Sequence, residues 1–139
     1  MKKTSVRRGI IIHGIDDART AVTAARSLNM GIRLVSAPGA VSFGGAAWFA
    51  EIIAAIRTEF PDVTIEAVLD CGDTPGHALA AMRAGIKSIR FTGPRRVREK
   101  ITAIAKQYDA ALDDDDEPAL DIALSRHPAN DCLNWLAEK

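Results

Sequence analysis

The sequence predicts an α/β fold: a single domain of alternating βα units with a parallel sheet, open and doubly wound, with a partial (β/α) barrel as the alternative. Three observations predict it. Four short apolar runs of β type alternate with segments whose apolar residues recur every three or four positions, the helical period. The intervening segments are long enough for helical crossovers, which join parallel strands with a right-handed turn. The length, 139 residues, favours the open sheet over the barrel.

The first run, residues 9–13 (GIIIH), is continuously apolar and suits a central strand buried on both faces. Asp16 or Asp17 is then placed to cap a helix whose buried stripe is Ala18, Ala21, Val22, Ala25 and Leu28. Asn29-Met30-Gly31 stops that helix, with Gly31 available for the left-handed residue that ends many helices. The second run covers residues 32–37. A long apolar loop, residues 37–45, follows it and carries Val41, Phe43 and the pair Gly44-Gly45. The next helix runs from about residue 45 to 59, buries Ala46, Phe49, Ile52, Ile53 and Ile56, and ends at Pro61. The third run, residues 63–69, leads into the turn DCGDTP. There Pro75 suits a first helical turn and Thr74 suits the cap before it.

That third helix is short and closes at Ala84-Gly85. The fourth run, residues 86–91 (IKSIRF), puts Lys87 and Arg90 on opposite faces, so it belongs near an edge of the sheet. Thr92-Gly93-Pro94 opens a fourth helix that turns Val97, Ile101, Ile104 and Ala105 inward. Residues 110–112 suit a short fifth strand. Residues 119–124 alternate as a strand or a helix start. Residues 128–137 form a last helix that buries Cys132, Trp135 and Leu136.

Composition narrows the function classes. Aromatic residues make up 5% of the chain against 47% apolar residues in all, so the core is small and aliphatic. Lys plus Arg equals Asp plus Glu, 18 against 18, which gives no general attraction to nucleic acid or an anionic membrane. The basic start (Lys2, Lys3, Arg7, Arg8) reads as a solvated tail, and the acidic run at residues 113–117 as a solvated loop. Cys71 and Cys132 make neither a disulfide framework nor a zinc spacing, and no metal site is expected. No stretch reaches the roughly 20 apolar residues that span a bilayer. GIIIHGI is too short for a signal-peptide core. The expectation is a soluble, cytoplasmic protein without nucleic-acid or membrane partners.

A functional site is expected where parallel strands end. The carboxyl ends of such strands form the binding rim of either architecture. The segments there are His13-Gly14, residues 36–39 (SAPG), residues 70–75 (DCGDTP) and residues 92–95 (TGPR). All four carry glycine, which lets a backbone approach a ligand, and helix starts beyond them offer free N–H groups and partial positive charge. A small anion, phosphate or carboxylate, is the expected ligand. Gly72, Thr74, Thr92, Gly93 and Arg95 are the candidate binding residues. Arg95 and Arg96 stand in the first turn of a helix, where cations oppose the dipole unless an anion joins them. Asp70, His77 and His13 are the candidates for proton handling, because a carboxylate and imidazoles at one rim suit general acid–base chemistry.

Residues 68–93 (VLDCGDTPGHALAAMRAGIKSIRFTG) resemble a βαβ unit of the phosphate-handling (β/α) barrel enzymes, most closely the small aldolases that cleave keto-deoxy sugar-acid phosphates. The shared phrase is a strand, a glycine-bearing turn, a short Ala-rich helix, then Ala-Gly and another strand. The resemblance implies a rim that binds a small oxyanion. It departs from the family at the Schiff-base lysine: Lys87 begins the fourth run, far from its carboxyl end, and no other β-type run offers an amine for an imine.

Two functions follow as expectations. One is a protein that binds a phosphorylated or carboxylated metabolite, with a lyase or isomerase as the reaction class. The other is a non-enzymatic regulatory or protein-interaction domain, a homo-oligomer through the apolar segment Val41–Trp48.

Overall fold

The computed structural model describes residues 8–114 and 117–138. In chain order the elements are β1 (Gly9–Ile12), α1 (Ile15–Ser27), β2 (Ile32–Ser36), α2 (Val41–Glu59), β3 (Ile65–Asp70) and α3 (Pro75–Arg83). Then come β4 (Ser88–Arg90), α4 (Arg95–Gln107), β5 (Ala111–Leu112), β6 (Ala119–Asp121), a 3₁₀ turn at Ile122–Leu124, and α5 (Pro128–Ala137). The strands form one sheet in the order β5-β4-β3-β2-β1-β6, and every adjacent pair is parallel. The chain steps outward from β1 to β5 on one side and places β6 on the other, so the strand order winds in both directions from β1. The sheet is open, with β5 and β6 at its edges.

Register explains the two faces. Ile10 pairs with Leu34 and Leu120, and Leu69 with Ile89. Paired residues of a parallel ladder share a face, and Ile10, Leu34, Leu69 and Ile89 are all fully buried in one core cluster with Val22, Phe49, Ala78 and Ile101 of the helices. The helices form a row of contacts, α5 on α1, α1 on α2, α2 on α3 and α3 on α4. The alternate strand positions hold Arg33, Glu66, Asp70 and Arg90 on the opposite face. GIIIH does form an interior strand, flanked by β2 and β6. IKSIRF shortens to Ser88–Arg90, one place in from the edge.

The ends of several elements differ from the sequence-based expectation, for local reasons. Asn29, not Gly31, takes the left-handed conformation after α1, with φ 54°. Gly14 occupies the cap of α1, and Asp17 reaches back to accept from His13 N–H at 2.8 Å, much as the far residue of a capping box does. Thr74 holds the cap position of α3, but its hydroxyl makes no capping bond. The apolar loop is shorter than its composition implies. Residues 41–44 already form a helical turn, and Gly45, at φ 81° and ψ 167°, kinks α2 where a side-chain-bearing residue would be strained. Among the described residues no helix is long and apolar enough to cross a membrane.

Candidate functional site

Because all six strands run the same way, their carboxyl ends lie along one edge of the sheet, and every candidate residue lies on or next to that edge. They fall into two groups. The first lies after β3 and β4, which are neighbours. Asp70 closes β3 half-buried, facing away from the fully buried Leu69, and its Oδ1 accepts from Gly72 N–H at 2.9 Å. Gly72 turns with φ 58°, a conformation that favours glycine, and this closes the tight Asp70–Gly72 turn. Two backbone bonds stitch this loop to the next. Cys71 N–H donates to Arg90 O, and Thr92 N–H donates to Gly72 O, each at 2.8 Å. Gly72, Thr74, Thr92, Gly93 and Arg95 therefore belong to one joined pair of loops. His77, half-buried, stands in the first turn of α3.

The loops carry charges of both signs, Asp70 and Asp73 after β3 and Arg95 at the start of α4. Neither α3 nor α4 has an acidic side chain in its first turn. Arg95 is 91% exposed at the start of α4, with Glu99 at 3.6 Å one turn on. Arg98 turns back to donate to Phe91 O and pairs with Asp114. At α1, by contrast, Asp16 and Asp17 already occupy the first turn.

The second group lies after β1 and β6. His13 Nε2 meets Asp121 Oδ1 at 2.7 Å, and that oxygen also accepts from Ala123 N–H at 3.0 Å. The pair joins the strand ends at which the winding reverses. β2 separates His13 from Asp70, a gap of two strand spacings, about 10 Å. The structure thus brings Asp70 and His77 to the β3–β4 sector and gives His13 a different carboxylate. Asp121 was not among the candidates. It lies 108 positions from His13, and no spacing in the sequence signals such a contact.

No family model and no curated protein matches this chain. The chemistry of the rim is accordingly read from its own side chains. Among the described residues no three His, Cys, Asp or Glu side chains are grouped to hold a metal ion. Lys87 donates to Tyr108 O at 2.9 Å, just before β4 and at the opposite end of that strand from the rim.

Both thiols are buried and free. Burial, with the Asp70 carboxylate adding to it, pushes the Cys71 thiol up to about 12. Burial, with Asp131 and Asp17 adding, raises Cys132 to about 11. Cys71 at the strand end is a small apolar filler and not a nucleophile, since the thiolate is the reactive form. Iodoacetamide at about pH 8 is expected to leave both cysteines unmodified in the folded protein and to alkylate both in denaturant. The same shifts fix a sign for stability. Below the ordinary thiol pKa near 9 both states hold these protons and nothing changes. Above it the unfolded chain ionises first, so these thiols lower stability as pH rises from about 9 toward about 11–12.

Proposed function

We propose that the protein is a cytoplasmic protein that binds a small phosphorylated or carboxylated metabolite at the β3–β4 sector of the rim. One observation carries this reading. Two neighbouring helices begin there without acidic side chains, their loops are stitched by backbone bonds, and arginine occupies the first turn of one of them. An anion would meet the N–H groups of α3 and α4 and satisfy a cation that the α4 dipole otherwise opposes. Gly72 and Gly93 admit its oxygens, Thr74 and Thr92 offer hydroxyls, and Arg95 supplies charge. Asp70 and His77 stand nearest for proton transfer, which suits a lyase or isomerase. His13, with Asp121, serves such a reaction only on a ligand that reaches across β2.

A second reading has its own support. Phe43 is 94% exposed on the first turn of α2, and an apolar ring so placed suits contact with a second copy or another protein. Val41 in the same turn is buried, and Trp48, partly buried, lays its ring against Gly44.

Thermal unfolding with inorganic phosphate, sulfate and small sugar acids separates the two. At about ten times its Kd an anion bound to the native state adds about 1.4 kcal/mol, roughly 4 °C in Tm. Arg95→Ala is expected to remove that gain. If none of these anions stabilises the protein, the metabolite reading fails. A shift in oligomeric state on Phe43→Ser then favours the interaction domain.

A further inference from the structure

At the end of the sheet opposite the rim, β3 and β4 part. β3 pairs with β2 from Ile65 to Val68, but its ladder to β4 starts only where Val68 meets Ser88. Asp70 N–H turns toward β2 and donates to Ser36 Oγ at 2.9 Å, whereas Cys71 N–H turns toward β4. Backbone groups alternate along a strand between its two neighbours. The backbone groups of Ile65 and the N–H of Ala67 therefore face the β4 side below the level at which that ladder begins.

A cleft of about 490 Å³ lies there, between α2, the amino half of β3 and the turn after α3. Small-molecule sites commonly measure about 300–1,000 Å³. Ile53 and Ala54 of α2 line one side and Ile86 the other. Arg57, also in the wall, donates from Nη2 to Ile65 O at 2.8 Å, the bond a neighbouring strand would otherwise make. A guanidinium has five N–H donors, so this one bond does not exhaust it. Ala67 is 8% exposed, and among the described residues its N–H makes no backbone bond beyond the sheet ladders. The other charges of the wall are engaged. Glu66 pairs with Arg33 at 3.2 Å, and Lys87 donates to Tyr108 O.

We propose that this cleft is a binding site for a small organic monocarboxylate with an aliphatic or aromatic tail. The carboxylate accepts from the Arg57 guanidinium and from Ala67 N–H, and the tail packs on Ile53 and Ile86. A planar guanidinium matches a planar carboxylate in a two-point contact. The apolar sides suit a hydrocarbon tail better than a multiply charged phosphate. The site is independent of the rim and of the anion proposed there.

The test is titration of the ¹⁵N-labelled full chain with benzoate and with hexanoate, using inorganic phosphate as the control. Saturable amide shifts centred on Ala67 and Ile86 are expected with both carboxylates and not with phosphate. Arg57→Gln is expected to weaken binding about tenfold. Ala54→Trp, which fills the cleft from an exposed helix position, is expected to abolish binding while the other resonances stay in place, and it decides the matter if Arg57→Gln unfolds. Arg95→Ala at the rim is expected to change nothing here. Carboxylate shifts that are absent, that centre elsewhere, or that survive in Ala54→Trp overturn the proposal.

Discussion

Replacing Asp113 with alanine is expected to lower the free energy of unfolding by about 3 kcal/mol, seen as a fall of roughly 10 °C in Tm and a lower urea midpoint at unchanged m-value. The side chain follows β5 and is only 8% exposed. The Arg33 guanidinium holds it with two contacts, Nη1 to Oδ2 and Nη2 to Oδ1, both at 3.2 Å. Arg90 Nη2 holds Oδ2 at 2.8 Å. The Asp113 backbone N–H donates to Ile89 O at 2.7 Å, which fixes the backbone beside β4. Removing the carboxylate leaves Arg33, 13% exposed, and Arg90, 26% exposed, close together with one negative charge fewer. A buried pair is costly to break because the surviving charge keeps its desolvation penalty and loses its partner. Partial exposure of Arg90 keeps the loss toward the lower end of the usual 3–5 kcal/mol. Asp113→Asn keeps the shape and one acceptor oxygen and is expected to fall between the two. If Asp113→Ala unfolds with the wild-type midpoint, the network contributes nothing and the β5 edge is held by its ladder alone.

Asp113 also shows where sequence reading stopped. Residues 113–117 present five consecutive acids, and composition alone makes them a solvated loop. Arg33, 80 positions away, and Arg90, 23 positions away, converge on the first of them only because β2 and β4 share a sheet face. Such pairing depends on strand order, which a single sequence does not encode locally. His13 and Asp121 are legible for the same reason only after folding. What depends on period and punctuation was readable. Residues 9–12 are apolar at consecutive positions and lie inside the sheet, Pro75 and Gly85 bracket a short helix, and Ala18, Ala21, Val22 and Ala25 of α1 face the core, whereas Leu28, expected in the same stripe, sits past the end of the helix and is exposed. Residues 37–45 failed at the boundary. Their Gly and Pro content resembles a loop, yet one kink at Gly45 lets the helix begin four residues earlier.

Phe91→Ala is expected to cost about 4 kcal/mol, the second of the large effects and the one that links the fold to the rim. Phe91 directly follows β4 and is 1% exposed. Its ring packs in the core cluster, and its carbonyl accepts from Arg98. Gly93 sits against that ring, and a Cβ on residue 93 would come within 2.4 Å of Cζ, nearer than real carbon contacts. Gly93→Ala therefore forces either the buried ring or the loop to move, at a cost of about 1–3 kcal/mol as an overpacking change. The two effects are not additive. In a Phe91→Ala background the obstacle is gone, and the added methyl partly fills the cavity the ring leaves. A double-mutant cycle by urea unfolding is expected to give a coupling of about 1–2 kcal/mol, with Gly93→Ala nearly neutral or slightly stabilising once Phe91 is alanine. Additive costs would mean that Gly93 is needed for its backbone and not for closeness to the ring. The same four proteins measure how far the loop carrying Thr92 and Arg95 depends on its aromatic floor. Loss of phosphate-induced stabilisation in Gly93→Ala, recovered in the double variant, is the pattern expected if the ring sets the loop's height above the sheet.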